Sequence, residues 1–264
     1  MKSVEIYKQK LTNKNYSKRT IETYVCYLEK FLQEIKKNPY HITTKEIENY
    51  LLNKNYSSIS VQNQVIGSLK LFAKYILGKK EVHLNKIERP KREKKLPRII
   101  DAELLAERIS MVKNLKHKAI LTLGLSCGLR ISEVINLKWL DLDKKRNVLN
   151  VINGKGKKDR ITFLNNNLIE LLTEYWLEYR SEEYVFNGQF KNQYSATSIQ
   201  RLVKKYIHPT ASFHLLRHSF ATYALDNGTG IGALADIMGH NSIKTTEIYY
   251  HTSLKAVQNL KQVI

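Results

Sequence analysis

Between Asn85 and Ile100 the chain reads NKIERPKREKKLPRII, a run of basic side chains broken by Pro90 and Pro97, with too little apolar content to enter a core. Proline removes a backbone donor and restricts the residue before it, so neither a helix nor a central strand can pass through such a stretch. The segment therefore reads as a linker. A chain of 264 residues at 42% hydrophobic content can bury one large core or two modest ones. The expected organisation is a first domain over 1–84, a basic linker over 85–98 and a second domain over 99–264.

The two sides of the linker differ in texture. From Ser17 to Ile35, Ile21, Tyr24, Val25, Leu28, Phe31, Leu32 and Ile35 recur at helical spacing, which predicts an amphipathic helix with a charged outer face. Thr43 and Glu46 in TTKE have capping-box spacing and predict the start of another. A third is expected from about Ser60 to Leu77, with Val61, Val65, Leu69, Phe72 and Ile76 inward, so the first domain is all helical. After Asp101 helical patterns resume, and the apolar segment from Ala119 stops at CGLR, where Gly128 can end a helix. VLNVINGKGKKDRITFL then holds two β-rich runs around a Gly, Lys and Asp cluster and predicts a hairpin, with YVF at Tyr184 to Phe186 as a third strand. The rest returns to helices. The predicted fold class is mainly α with a small β-sheet: an all-helical first domain and an α+β second domain.

The charge narrows the partner. With 44 Lys and Arg against 24 Asp and Glu, the formal net charge is +20, which favours a polyanion, either nucleic acid or an anionic membrane surface. The longest apolar runs, such as AILTLGLSC from Ala119 to Cys127, fall far short of the roughly 20 residues of a membrane span. MKSVEIYKQK carries charges where a signal peptide has its apolar stretch, so a cytoplasmic protein is expected. Cys26 and Cys127 stand in unrelated contexts, which supports neither a disulfide framework nor a cysteine zinc site.

Several side chains could carry chemistry. His214 and His218 in HLLRH are four apart, as in a zinc helix, but the Glu that follows the first His in a metalloprotease motif is missing and Arg217 would repel a cation. Asp141 and Asp143 in DLD read as turn residues rather than as part of a two-metal site. Arg130, Lys155, His214, Arg217 and His240 are all cationic or able to donate hydrogen bonds, and as a set, with a tyrosine near the C-terminus, they suit phosphate. Taken singly, each has an ordinary structural explanation.

In these contexts the sequence resembles the tyrosine recombinases, or phage integrases, and among them the compact Xer-like members. CGLRISEVINLKWLDLD is similar to the segment with the family's first catalytic arginine, so the resemblance assigns that role to Arg130. NGKGKKDR resembles its β-hairpin motif and gives Lys155 as the catalytic lysine. HLLRHSFATYALDNG resembles the box of a histidine and the second arginine, His214 and Arg217. MGHNSIKTTEIYYH resembles the last box, with His240 as its second histidine and Tyr249 as nucleophile, Tyr250 falling where the family usually has threonine. The similarity of motifs spans Cys127 to His251, and the helical first region fits the family's core-DNA-binding domain in layout.

What the resemblance implies is a site-specific DNA recombinase. It would cleave and rejoin strands through a 3'-phosphotyrosine without metal, cofactor or ATP, with His214 as proton acceptor or transition-state donor and Lys155 as donor to the leaving oxygen. Its partners would be a double-stranded DNA recombination site and, on it, a homo-tetramer of a chain that is monomeric when free. Lys91, Arg92, Lys94 and Lys95 would lie on the strap along the duplex. The tail SLKAVQNLKQVI, with Leu254, Val257, Leu260 and Val263 three apart, would pass between protomers. Two alternatives stand beside this: a type IB topoisomerase, which lets one strand swivel, and a DNA-binding regulator of the same fold without activity. The small helical first domain and the apolar tail separate it from the topoisomerase, and intact candidates at all six positions from the regulator.

Overall fold

The computed structural model describes residues 2–78, 89–90, 98–152, 159–189 and 191–250, and the chain divides into two compact units, Met1–Lys94 and Lys95–Ile264. Among the described residues no helix is long and apolar enough to cross a membrane.

The first unit is built of α1 (Lys2–Asn13), α2 (Lys18–Ile35), α3 (Thr44–Asn53) and α4 (Ile59–Tyr75). Their starts follow from side chains that take up orphan N–H groups. Ser17 Oγ accepts from Thr20 N at 3.2 Å ahead of α2. Thr43 and Glu46 close the expected capping box, Glu46 N donating to Thr43 Oγ1 at 3.3 Å and Thr43 N to Glu46 Oε2 at 2.7 Å. Ser58 caps α4 in the same way. The buried faces supply Tyr7, Leu11, Leu28, Phe31, Ile47, Leu69 and Phe72 to one core. The Tyr7 hydroxyl, sunk in it, donates to Ser68 O at 2.9 Å, which satisfies a phenol that would otherwise be costly to bury. Helix α1 lies ahead of the first helix that the sequence pattern predicts, at Ser17, and Val4, Tyr7 and Leu11 share its buried face.

The second unit places α5 (Ala102–Ser110), α6 (Leu115–Ser126), α8 (Asn166–Tyr179), α9 (Ala196–Tyr206) and α10 (Phe213–Asp226) around a second apolar core, with short α7 (Ile131–Asn136), α11 (Ile231–Met238) and α12 (Glu247–Tyr250) at the site described below. Helix α6 stops where the sequence expected. Gly128 takes the left-handed φ of +60°, and a Cβ there would sit 2.4 Å from the Phe220 ring, so glycine is required twice over.

The sheet has three antiparallel strands in the order β1 (Leu142–Asp143), β2 (Val148–Val151) and β3 (Arg160–Phe163). The expected hairpin is β2 and β3, paired from Val148↔Phe163 to Val151↔Arg160. The third strand is not where it was expected. Tyr184 makes only a single bridge to Lys138, and the place beside β2 is taken by Leu142 and Asp143. Asp143 keeps its turn chemistry as well, accepting from Lys145 N at 3.1 Å and Arg146 N at 3.0 Å. Strand β3 is pinned beneath the end of α6, because Thr162 Oγ1 donates to Cys127 O at 3.0 Å. The base of the hairpin is thereby held next to Gly128 and the start of α7.

Candidate active site

Three guanidinium groups converge on one helix end. Helix α11 finishes with Gly239 at φ +61°, whose N–H turns back to Ala235 O and Asp236 O. The next carbonyls in line are left for other donors, as at any helix C-terminus, where they carry partial negative charge. Ile237 O accepts from Arg160 Nε at 2.6 Å, Met238 O from Arg217 Nη2, and Gly239 O from Arg130 Nη2 at 2.9 Å. Successive backbone oxygens thus orient arginines from β3, α10 and the residue preceding α7. Arg217 also donates from Nη1 to Gly128 O, so the glycine turn after α6 and the turn after α11 hold it from two sides. A Cβ at position 239 would meet Arg160 Cδ at 2.9 Å, which is why glycine stands there.

Glu133, buried one turn into α7, balances this charge. Its Oε1 accepts from Arg160 Nη1 at 2.7 Å and from Arg130 Nη1 at 2.8 Å. Its Oε2 accepts from Arg160 Nη2 at 2.8 Å and Arg130 N at 2.7 Å, with Arg217 Nη1 4.0 Å away. Burial works to raise the carboxyl's pKa, but the Arg160 fork and then the Arg130 donors overcome it and hold the group at about 2. Removing a buried ion-pair partner costs about 3 to 5 kcal/mol. Glu133→Gln is therefore expected to lower stability by about 3 kcal/mol at pH 7, measured by urea unfolding. The folded-state pKa is depressed, so this stabilisation is full above the ordinary 4.5 and disappears as pH falls toward about 2. The gap between wild type and variant should close over that window.

Against this cationic floor lie the aromatic groups. Tyr249 is 2% exposed and packs with Ala221, Leu234 and Met238, whereas Tyr250 beside it is 58% exposed. The Tyr249 hydroxyl is 2.9 Å from His218 Nδ1, and its ring stacks on His240 with centroids 6.3 Å apart and planes 13° from parallel. Burial raises the phenol's pKa while the nearby charges of Arg217 and Arg130 oppose the rise. His240 Nδ1 is 2.8 Å from Thr246 Oγ1 and its Nε2 is 3.3 Å from Arg217 Nη2. One tautomer satisfies both contacts, with Nδ1–H donating to Thr246 and Nε2 accepting from the guanidinium. Burial, then Arg217, Arg130 and Arg160, push the His240 pKa down to about 4, so the ring is neutral at pH 7.

Five of the residues singled out in the sequence thus lie in one neighbourhood: Arg130, Arg217, His240 and Tyr249 are linked by the contacts above, and His214 sits one turn before His218 on α10 with ring centroids 6.1 Å apart. Arg217 stays cationic at neutral pH, because burial and the neighbouring Arg130 lower its pKa only to about 10. Each guanidinium has five N–H donors, and the contacts above leave Arg130 and Arg217 with others for a tetrahedral anion. Among the described residues no group of three or more His, Cys, Asp or Glu could hold a metal ion. Lys155, the strap residues Lys91, Arg92, Lys94 and Lys95, and the tail with Leu254, Val257, Leu260 and Val263 lie outside the described residues. Three further residues belong to the site without standing out in the sequence: Glu133, whose three-residue spacing from Arg130 is visible there, Arg160, and His218, whose spacing from His214 suggests only a zinc ligand.

A helical first unit, an α+β second unit and a tyrosine facing clustered arginines define a DNA strand-transferase architecture, and comparison with known proteins specifies it. Residues 92–255 match the phage integrase family and residues 4–81 its N-terminal SAM-like domain. The chain is similar to tyrosine recombinase XerA of Pyrococcus horikoshii, 34% identical over 90% of this chain and 85% of that protein. It is 30% identical to tyrosine recombinase XerD of Staphylococcus epidermidis over 94% and 92% of the two chains. Among solved structures, a XerA recombinase is 30% identical with a TM-score of 0.56, covering 99% of this chain and 97% of that one. A lambda integrase dimer bound to a COC' core site, 17% identical, shares the fold with a TM-score of 0.73 over 94% of each chain. The chain belongs to the phage integrase family. It is a tyrosine site-specific recombinase of the Xer-like kind.

Proposed function

We propose that this chain recombines double-stranded DNA at specific sites, with Tyr249 as nucleophile and no metal, cofactor or ATP in the reaction. The observation that carries the reading is a buried phenol set beside two arginines whose guanidinium planes are fixed by backbone carbonyls. The Tyr249 oxygen attacks a backbone phosphorus, the P–O5' bond breaks, and a 3'-phosphotyrosine and a free 5'-hydroxyl result. One phosphoester replaces another, so the reverse attack reseals the strand without an external energy source. Arg130 and Arg217 donate paired hydrogen bonds to the non-bridging oxygens as negative charge builds there. His214 joins them as a donor to the phosphate, His240 positions the guanidinium of Arg217, and Lys155 protonates the leaving O5'.

Binding strength comes mainly from phosphate contacts by the basic surface, including Lys91, Arg92, Lys94 and Lys95, and falls steeply with salt as counterions are released. The acting species is a tetramer on DNA in which the tail after Ser253 passes to a neighbour. An apolar groove of about 480 Å³ in the second unit, with Leu125, Phe163, Phe220, Tyr223 and Ile237 among its walls, supports such docking.

The test begins with DNA trapped covalently on the protein and sequenced to recover its site. Two copies of that site on a plasmid should then exchange partners in the presence of EDTA. Relaxation of supercoiled plasmid at arbitrary sequences, with no exchange between sites, would point instead to topoisomerase-type swivelling.

A further inference from the structure

His218 has no part in the reaction as proposed, yet among the described residues its Nδ1 lies in hydrogen-bond contact with the Tyr249 hydroxyl, at 2.9 Å, with ring centroids 5.5 Å apart. The helix makes this possible. Successive residues on α10 turn by about 100°, so Arg217 points to the helix-end carbonyls while His218 faces α12. A phenol 2% exposed has little water to take its proton, and a free phenol with a pKa near 10 is a weak nucleophile at neutral pH, so an acceptor must already be at hand.

The surroundings keep the imidazole able to accept. His214 and Arg217 flank it on α10, Tyr249 faces it from α12, and His240 lies nearby beyond α11. Arg98 and His208 share with it a cavity of about 540 Å³. None of these groups is a carboxylate, so the imidazolium formed on proton transfer draws its stabilisation from the anionic DNA phosphate at the site. Burial first, then His214 and Arg217, hold the His218 pKa at about 4, so the ring is neutral, and in the tautomer protonated at Nε2 the lone pair on Nδ1 accepts from the phenol. His214 is exposed at the start of the same helix, a place suited to meeting the phosphate rather than the phenol.

We propose that His218 is a further catalytic residue, the acceptor of the Tyr249 proton. As the phenol oxygen bonds to phosphorus, its proton moves to His218 Nδ1 and the ring becomes imidazolium, while the departing O5' takes a separate proton from Lys155. On religation the imidazolium returns its proton to the phenol as the 5'-hydroxyl displaces it. The step rests on Tyr249 being the nucleophile.

The test uses the full-length protein and a nicked duplex bearing the sequence recovered from DNA trapped on the wild type. His218→Asn keeps an amide oxygen near the Nδ1 position, able to accept a hydrogen bond but not a proton. It should bind the duplex as the wild type does and form adduct at least about a hundredfold more slowly. Its rate should climb about tenfold per pH unit through the neutral range, where deprotonated phenol is scarce, while the wild type stays flat. Added imidazole should speed His218→Ala. A 5'-bridging phosphorothiolate, whose sulfur leaves without a proton, should rescue Lys155→Ala and not His218→Asn. Normal adduct formation by His218→Asn would overturn the inference, as would faster formation, which would make the contact a latch on the phenol. Adduct formed by Tyr249→Phe would instead defeat the assignment of Tyr249 on which the step rests.

Discussion

Replacing Tyr249 by Phe is expected to abolish covalent attachment to DNA while leaving binding unchanged. Phenylalanine keeps the ring volume that packs among Ala221, Leu234 and Met238, so the core around α12 survives, and only the hydroxyl and its bond to His218 are lost. That bond contributes about 1 kcal/mol to stability, too little to unfold a domain. The missing oxygen, by contrast, is the atom that forms the bond to phosphorus, and nothing replaces it. Tyr250 is the apparent substitute, one residue on, but it is 58% exposed and a turn of about 100° carries its side chain away from Arg217. Tyr250→Phe should therefore retain adduct formation within a few-fold of the wild type. The measurement is denaturing electrophoresis of protein mixed with labelled nicked duplex, beside a filter-binding or mobility assay for affinity. Adduct from Tyr249→Phe, or its loss from Tyr250→Phe, would move the nucleophile to the second tyrosine.

The parts of this molecule that were readable from sequence are those in which side chains announce the structure. Helix α2 declares itself by an apolar residue at nearly every turn, and α3 by the reciprocal Thr43 and Glu46. Helix α1 has only Val4, Tyr7 and Leu11 on its buried apolar face, so its pattern is too brief to stand out. Strand β1 has two residues, and two residues have no periodicity; Leu142 and Asp143 pair because β2 offers a free edge. YVF shows the opposite failure, since Val185 and Phe186 are apolar because they are buried in the core and not because they extend a sheet.

The site divides in the same way. Arg130, Arg217, His240 and Tyr249 occur in recognisable local contexts, but what sets their geometry is a row of main-chain carbonyls at Ile237, Met238 and Gly239, and a carbonyl leaves no mark on a sequence. Arg160 reads as one more charge in a basic hairpin until the fold turns it under Gly239 toward Glu133. His218 shares its motif with a better-known neighbour, and only the packing of α10 on α12 shows which imidazole meets the phenol.

Arg217→Ala is the second large effect, and two losses must be kept apart in it. In the folded protein the guanidinium, 2% exposed, satisfies Gly128 O and Met238 O, and removing it leaves both carbonyls short of a donor in a dry interior. Each such group costs about 1 to 3 kcal/mol, partly recovered if water enters the space. A lower melting temperature is therefore expected, and adduct formation must be measured well below it. In the reaction, the same substitution deletes a preorganised donor to the charge that builds on the phosphate. Loss of one such donor typically removes about 3 to 4 kcal/mol of transition-state stabilisation, so the rate should fall by about a hundredfold or more even with protein in excess over DNA. Arg217→Lys separates charge from geometry. An ammonium keeps the positive charge but cannot bridge two carbonyls and still present a planar fork, so it should recover some binding and little of the rate. If Lys restored cleavage to near the wild-type level, net charge would be what the position supplies; if Ala did, the carbonyl-held guanidinium would be a structural strut with no part in the chemistry.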